Sequence, residues 1–168
     1  DTNIFKPLEN KIILREKYKI EKNSNIILFG ADNLNDKRKG LNKIIDIFKE
    51  NLINKKNFYL ILFGNGNVNE KCINNLNIKN FGYISESSKL NELFNLADVM
   101  VIPSDIDNLP QVGLEAQSSG LPVITLKNSG LEELIEDKKT GFLSDDNIYS
   151  ISKKLEYFFG NEDIKKIF

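Results

Sequence analysis

Short apolar runs alternate with segments of helical spacing along most of the chain. The runs that predict buried strands are Asn25–Gly30, Phe58–Phe63, Ile78–Phe81, Val99–Ile102, Pro122–Thr125 and a short extended piece at Gly141–Leu143. The predicted helices are Leu8–Lys17, Gly40–Asn54, Asn69–Leu76, Ser85–Ala97, Pro110–Ser119, Gly130–Glu136 and Ile148–Phe159. This alternation predicts an α/β fold: a doubly wound parallel sheet with helices on both faces.

Three of the predicted strands run into loops that lead to a helix. These loops are residues 30–40, 64–69 and 103–109. Because the carboxyl ends of parallel strands meet at one edge of the sheet, and ligands bind at that edge, we expect the three loops to form one site.

Composition removes several function classes. A length of 168 residues fits one domain, and 23 Lys and Arg against 24 Asp and Glu leave a net charge of −1, which favours neither nucleic acid nor membranes. The chain has no histidine, so histidine triads, metal sites and general bases are excluded. Cys72 is the single cysteine, which fits a cytoplasmic compartment. We recognise no signal peptide and no apolar run of about 20 residues that could span a bilayer.

The first loop carries three consecutive cations, Lys37, Arg38 and Lys39, directly before Gly40 and a predicted helix start. Cations at a helix N-terminus suit a diphosphate, with a bidentate contact available from Arg38. The loop matches neither GxxxxGK[ST] nor GxGxxG. A solvated basic loop explains the same spacing, so both interpretations stay open on these residues alone.

Two acidic residues flank the start of a predicted helix after the strand Val99–Ile102. Asp107 lies in the loop, and Glu115 lies in the helix that Pro110 opens. The two carboxylates could act as general acid and base, as in glycoside hydrolases, or each could accept hydrogen bonds from sugar hydroxyls. An acidic residue favoured by the helix dipole, together with an exposed helix glutamate, is the structural alternative.

Six segments, in order, carry a resemblance over nearly the whole chain. They are DTNIFKP, NIILFGA…RKG, LILFGNGN, IKNFGYIS…LNELFNLADVMVIPS, DNLPQVGLEAQSSGLPVI and NSGLEELIEDKKTGFL. Together they resemble the C-terminal, donor-binding domain of a GT-B glycosyltransferase of the retaining family 4, a Rossmann-like half of that fold. The DNLPxxxLEA pattern is similar to that of bacterial polysaccharide and O-antigen enzymes.

The resemblance implies roles for the matching residues. Lys39, helped by Arg38, would neutralise the diphosphate of the donor. Glu115 would hold the ribose hydroxyls, and Asp107 would accept hydrogen bonds from the transferred sugar. The other implied site residues are Asn108, Leu109 and Pro110 at the sugar, Gly64 and Gly66 in the second loop, and Tyr83 and Ile84 under the base. Two positions depart from the family pattern: Asp107 stands where Glu is usual, and Ala31 where Arg is frequent.

The resemblance also implies partners and organisation. The donor would be a UDP-, GDP- or ADP-linked sugar, transferred with retention to a saccharide or lipid-linked acceptor, with no cofactor, no metal and no nucleic acid. Residues 1–22 would be an interdomain linker with a short helix, and residues 23–168 the donor domain. The N-terminal acceptor domain would be absent from this chain, so we expect the isolated domain to be inactive. The whole enzyme is expected in the cytoplasm, peripherally at the inner face of the membrane.

Two other classes with doubly wound folds fit the residues less well. A non-catalytic nucleotide-binding or receiver-like signalling module is the alternative. A receiver needs an acidic cluster after the first strand and an aspartate after the third, whereas Gly30-Ala31-Asp32 is a poor match and Asp105 comes one strand late. A dinucleotide-dependent oxidoreductase needs GxGxxG and an acidic residue about 20 positions on.

Overall fold

The computed structural model describes residues 1–53, 57–68, 72–73, 76–105, 111–127 and 129–167, with residues 72–73 described as backbone only. The strands in these residues are β1 Asn25–Asn33, β2 Phe58–Asn65, β3 Cys72–Ile73, β4 Leu76–Asn80, β5 Val99–Ile102, β6 Val123–Leu126 and β7 Gly141–Ser144. The α-helices are α1 Lys11–Lys17, α2 Leu41–Lys49, α3 Ser87–Leu96, α4 Gln111–Ser118, α5 Ile148–Gly160 and α6 Glu162–Lys165. Short 3₁₀ helices span Lys37–Lys39 and Glu132–Leu134.

The strands form one sheet in the order β3-β4-β2-β1-β5-β6-β7. β3 runs antiparallel to β4, and the other six strands are parallel. β1 pairs with β2 on one side and with β5 on the other, so that Ile27 lies between Leu60 and Val99. This is the point where the chain changes direction across the sheet, which is where doubly wound folds bind ligands. The predicted doubly wound parallel sheet is confirmed.

Both faces of the sheet are covered. Along β1, Ile27 and Phe29 belong to one buried apolar cluster, and Ile26 and Leu28 to the other, because successive side chains of a strand point to opposite faces. The first cluster includes side chains of α2 and α5, and the second includes side chains of α1, α3 and α4. Burial on both faces explains why the strands are uninterrupted apolar runs.

Three predicted helices are wrong in kind or extent, and the one predicted at Gly40–Asn54 ends at Lys49. The helix predicted at Asn69–Leu76 contains instead the short strand β3 and the first residue of β4; residues 69–71 and 74–75 lie outside the described residues. Leu76 and Ile78 are both buried, which is the period of a strand, and Leu76 pairs beside Phe58. Tertiary pairing at the sheet edge therefore overrides the local spacing. The helix predicted at Gly130–Glu136 is shortened to one 3₁₀ turn.

Asp98, immediately before β5, fastens the N-terminal segment to the sheet. Its carboxylate accepts hydrogen bonds from Lys11 Nζ at 2.7 Å, from Arg15 Nη2 at 3.1 Å and from the Ile26 backbone N–H at 2.8 Å. Arg15 is only 7% exposed and also donates to the Ser24 carbonyl. Phe5 belongs to the same apolar cluster as the α3 side chains. Phe5, Leu14 and Ile20 thus attach residues 1–22, most of which are exposed, to the same core as the sheet.

Gly64 at the end of β2 has no room for a side chain. Its φ is +128°, and a Cβ atom would run into the carbonyl oxygen of Ala31. We expect Gly64→Ala to lower the free energy of unfolding by about 2 kcal/mol, since strain and a backbone clash combine there. Urea denaturation measures this change.

Gly160 provides the matched control, because it ends α5 with nothing within 4 Å of a built Cβ. There Gly160→Ala is expected to raise the free energy of unfolding by about 0.5 kcal/mol, through helix propensity. Equal effects at the two glycines would contradict this account of Gly64.

Candidate functional site

A cavity of about 570 Å³ lies at the carboxyl ends of β1, β2 and β5. The described residues that line it are Phe29, Gly30, Ala31, Asp32, Lys39, Phe63, Gly64, Tyr83, Ile84, Leu90, Ile102, Ser104, Gln111, Val112 and Glu115. All three strand-to-helix loops contribute, as expected from the sequence. Of the predicted site residues, the structure brings Lys39, Gly64, Tyr83, Ile84 and Glu115 together.

The first loop presents Lys39 through a tight turn. Asp36 caps the 3₁₀ helix Lys37–Lys39 by accepting a hydrogen bond from the Arg38 backbone N–H at 3.0 Å. Gly40 follows with a φ of +79°, and a Cβ there would run into the carbonyl oxygen of Pro103. Glycine therefore lets the turn lie directly against the end of β5, with Lys39 partly buried beside the cavity.

Arg38 lies differently from Lys39. Its guanidinium pairs with Asp36, at 2.7 Å between Nη2 and Oδ2, and its side chain is 80% exposed. These hydrogen bonds hold the pKa of Asp36 below its usual value. Arg38 is not among the described residues that line the cavity. Its role as a helper of Lys39 stays a prediction.

Glu115 reaches the cavity from α4, whose first two residues, Gln111 and Val112, also line it. The side chain is partly buried, and this burial raises the pKa of the Glu115 carboxyl above its usual value. A partly desolvated carboxylate is a strong hydrogen-bond acceptor, suited to hydroxyl groups of a ligand. Directly after this helix, Ser119 Oγ donates to the Glu115 carbonyl at 2.9 Å, which anchors the helix end.

The second loop and the segment after β4 form another wall. The Gly64 backbone N–H donates to the Gly82 carbonyl at 2.9 Å, which holds Tyr83 and Ile84 beside the end of β2. Tyr83 is 70% exposed, so its ring has an open face. Gly66 is not among the described lining residues; it packs beside Asn35, and its carbonyl accepts from Asn80 Nδ2.

Four predicted sugar-binding residues, Asp107, Asn108, Leu109 and Pro110, lie outside the described residues, so their roles stay predictions. Conversely, the sequence reasoning did not single out several lining residues: Asp32, Ser104, Gln111, Val112, Phe63 and Leu90. Asp32, Ser104 and Gln111 follow predicted strand ends or begin a predicted helix, and that position could have indicated them. Phe63 and Leu90 look like ordinary core positions in the sequence.

Lys43 of α2 was also missed. Its ammonium forms ion pairs with Asp105 and, at 2.6 Å, with Asp146, and it donates to the Pro103 carbonyl at 3.3 Å. Burial by itself lowers the pKa of Lys43, but the hydrogen bonds to the two carboxylates outweigh it and raise the pKa above its usual value. Asp105 and Asp146 are 62 and 103 positions away, so no local pattern could have linked them.

Among the described residues, no group of three His, Cys, Asp or Glu side chains could hold a metal ion. No helix in that part of the chain is long and apolar enough to cross a membrane.

Residues 10–167 match the family model described as glycosyl transferases group 1. The chain belongs to this family. Over 67 residues the glycosyltransferase chain is 33% identical to the putative colanic acid biosynthesis glycosyltransferase WcaL of Escherichia coli, a match covering 36% of this chain and 16% of the relative. The first curated relatives are likewise covered to only 12% and 24% of their lengths.

Solved structures share the fold. The C-terminal domain of the glycosyl transferase group 1 family protein LpcC from Francisella tularensis has a TM-score of 0.80 at 22% identity, covering 98% of this chain and 90% of that one. Anabaena HepE, solved in complex with UDP-glucose, has a TM-score of 0.79 at 20% identity, covering 99% of this chain and 47% of that one. The glycosyltransferase chain thus has the Rossmann-like fold of a GT-B C-terminal domain.

The raised pKa of Glu115 has a consequence for stability. The folded chain binds this proton more tightly than the unfolded chain, so the stabilisation is present at low pH and is lost as pH rises from the usual value of 4.5 through the folded pKa. We expect Glu115→Gln to melt at a higher temperature than wild type at neutral pH, with the difference shrinking toward acid pH. Thermal unfolding across this pH range measures it.

Glu133→Gln is the control, since Glu133 is exposed and is not a described lining residue of the cavity. A difference in melting temperature between Glu115→Gln and wild type that stays constant with pH would contradict the assignment of Glu115 to a desolvated position.

Proposed function

We propose that this chain is the donor-binding domain of a retaining glycosyltransferase of family 4, and that its cavity takes a nucleotide-diphospho-sugar. The observation that carries the proposal is that Lys39 and Glu115, which the family resemblance assigns to the diphosphate and the ribose, line one cavity at the switch point of the sheet. Their separation of 76 positions along the chain makes this convergence a property of the fold.

The diphosphate lies, in this proposal, against the turn that ends at Gly40. Lys39 supplies the positive charge, and the N-terminus of α2, which begins at Leu41, adds its dipole. Negative charge grows on the diphosphate as the sugar leaves, so a fixed cation there stabilises the transition state more than the ground state. Arg38 reaches the same charge only if its guanidinium leaves Asp36.

The nucleoside occupies the remainder of the cavity. The Glu115 carboxylate accepts hydrogen bonds from the ribose hydroxyls, and the base lies over Tyr83 and Ile84. Phe63 and Leu90 give that wall apolar surface. Recognition of the base by backbone and apolar surface leaves UDP, GDP and ADP as candidates. The complex of Anabaena HepE with UDP-glucose supports this ligand class.

For the reaction, we propose transfer with retention by departure of the diphosphate on the face that the acceptor attacks. Asp107 accepts from the sugar hydroxyls in this scheme, and Asn108, Leu109 and Pro110 line the sugar. Protein cations hold the diphosphate without a metal. The acceptor, a saccharide or a lipid-linked group, binds to an N-terminal domain of the whole enzyme at the inner membrane face. The colanic acid relative supports a role in polysaccharide synthesis.

Nucleotide binding is the first test of this function. We expect one of UDP, GDP and ADP, or a matching nucleotide-sugar, to stabilise the chain by about 2.7 kcal/mol at 100 times its Kd, read as a rise in melting temperature. The experiment is run with EDTA and with Mg²⁺, and equal stabilisation supports metal-free binding. No response to any of these ligands at millimolar concentration would contradict the proposal.

Two variants separate the parts of the donor. Lys39→Ala is expected to weaken binding of the responding nucleoside diphosphate by about tenfold while sparing the nucleoside, because it removes a charged contact to phosphate. Glu115→Ala is expected to weaken both, through the ribose. Isothermal titration calorimetry measures the affinities.

Lys127→Ala is the matched control, since Lys127 forms an exposed ion pair with Asp145 at the same sheet edge. Equal losses of diphosphate and nucleoside in Lys39→Ala would remove Lys39 from the phosphate site.

A further inference from the structure

Two loops of the cavity are fastened to each other through the backbone. The carbonyl of Arg38 accepts hydrogen bonds from the Asp105 N–H at 3.0 Å and from Ser104 Oγ at 3.3 Å. Gly40 packs directly against the Pro103 carbonyl. These contacts join the turn that carries Lys39 to the end of β5, and we call them the Arg38–Asp105 junction.

Lys43 of α2 adds side-chain contacts to this junction. Its ammonium group can donate three hydrogen bonds, and its acceptors are Pro103 O and the carboxylates of Asp105 and Asp146. Two of these acceptors belong to the end of β5, and the third precedes α5. The Lys43 side chain is 23% exposed and is not among the described lining residues of the cavity. Its charge is thus directed at protein acceptors.

We propose that Lys43 and Asp105 are positioning residues for diphosphate binding: their ion pair holds the Arg38–Asp105 junction so that Lys39 stands at the phosphate position. This inference rests on the proposed function of the cavity. In this scheme Lys43 and Asp105 do not contact the ligand. They affect diphosphate binding by setting the position of Lys39.

The contacts of Lys43 with Asp105, Asp146 and the Pro103 carbonyl constrain the junction more than a single exposed ion pair would. An isolated exposed ion pair contributes little, because each side chain loses freedom for one contact. Here one partly buried ammonium joins three segments of chain: α2, the end of β5 and the residues before α5. Because α2 packs in the core through Ile44 and Phe48, Lys43 connects the junction to a helix that is itself held by buried contacts.

If Lys43 contacted phosphate directly, Asp105→Ala would change diphosphate affinity in the direction opposite to the one that the positioning role predicts. If Lys43 were itself a phosphate contact, removing Asp105 would free its ammonium and strengthen diphosphate binding. Long-range electrostatics alone would also strengthen diphosphate binding in Asp105→Ala, because the variant loses a negative charge near the site. In the positioning scheme, Asp105→Ala loosens the junction and weakens diphosphate binding.

The test uses whichever of UDP, GDP and ADP binds the wild-type chain. It compares the affinity of each variant for this nucleoside diphosphate with its affinity for the corresponding nucleoside. We expect Lys43→Ala and Asp105→Ala each to weaken diphosphate binding by about tenfold while leaving nucleoside binding unchanged. Hydrogen exchange on the ligand-free chain, corrected for the intrinsic rate at each position, should show faster exchange of the backbone amides at positions 105 and 40 in both variants. Lys127→Ala and Asp145→Ala, an exposed pair at the same edge, are the matched controls.

Several outcomes would overturn the inference. These are tighter diphosphate binding by Asp105→Ala, equal losses of diphosphate and nucleoside, or unchanged amide exchange at the junction. If Lys43→Ala fails to fold, Asp105→Ala decides, because the Asp105 side chain is half exposed. If the wild-type chain binds none of the nucleotides, the proposed function of the cavity is wrong and this inference fails with it. If the wild-type chain binds a nucleotide and the two variants bind it with the same affinity, only this inference is rejected.

Discussion

The placement of β1 between β2 and β5 is the constraint on which the site depends. β1 is parallel to both neighbours and buried on both faces, so its loop must leave the sheet at the same edge as theirs. The chain then continues on opposite faces of the sheet, and the loops separate there to leave a cavity. Every described lining residue of that cavity lies at or near this edge, whether it comes from a strand end, a loop or the first turns of α3 and α4. A substitution that disturbed β1 would therefore move all walls of the site at once.

Close approach of backbone segments gives the edge its rigidity. Gly64 meets the carbonyl of Ala31, and Gly40 meets the carbonyl of Pro103, at distances that exclude a side chain. Each contact joins two loops that are far apart in the sequence. Charge is arranged on the same frame: Lys39 stands beside the diphosphate position of the proposed ligand, while Asp32 and Glu115 also line the cavity. The described lining carries carboxylates as well as a cation, so the proposed diphosphate site depends on where Lys39 lies and not on a net positive charge.

Family membership and fold constrain the activity at different levels. The family model covers residues 10–167, so the chain belongs to the family of glycosyl transferases group 1. Shared fold with LpcC and HepE places it with GT-B C-terminal domains, at identities that say nothing about sugar or acceptor. The chain spans only part of the curated relatives, so chemistry that needs a second domain belongs to the proposal. Within the chain, Asp98 and Arg15 hold the N-terminal segment on the core, where Phe5 and Leu14 belong to the same apolar cluster as the α3 side chains.

The sequence by itself determined the fold class, most element positions and the three converging loops, because buried parallel strands and amphipathic helices carry strong local periodicity. It also indicated Lys39, Glu115, Gly64, Tyr83 and Ile84, which the structure brings to one cavity. Tertiary structure alone decided two things, and a local ion pair decided a third. Pairing with β2 placed Leu76 in a strand, where local spacing predicted the last residue of a helix. The ion pair with Asp36 placed the guanidinium of Arg38 outside the lining that is described. Lys43 joined Asp105 and Asp146 across distances in sequence that no periodicity spans, since long-range contacts are set by how elements pack and not by local spacing.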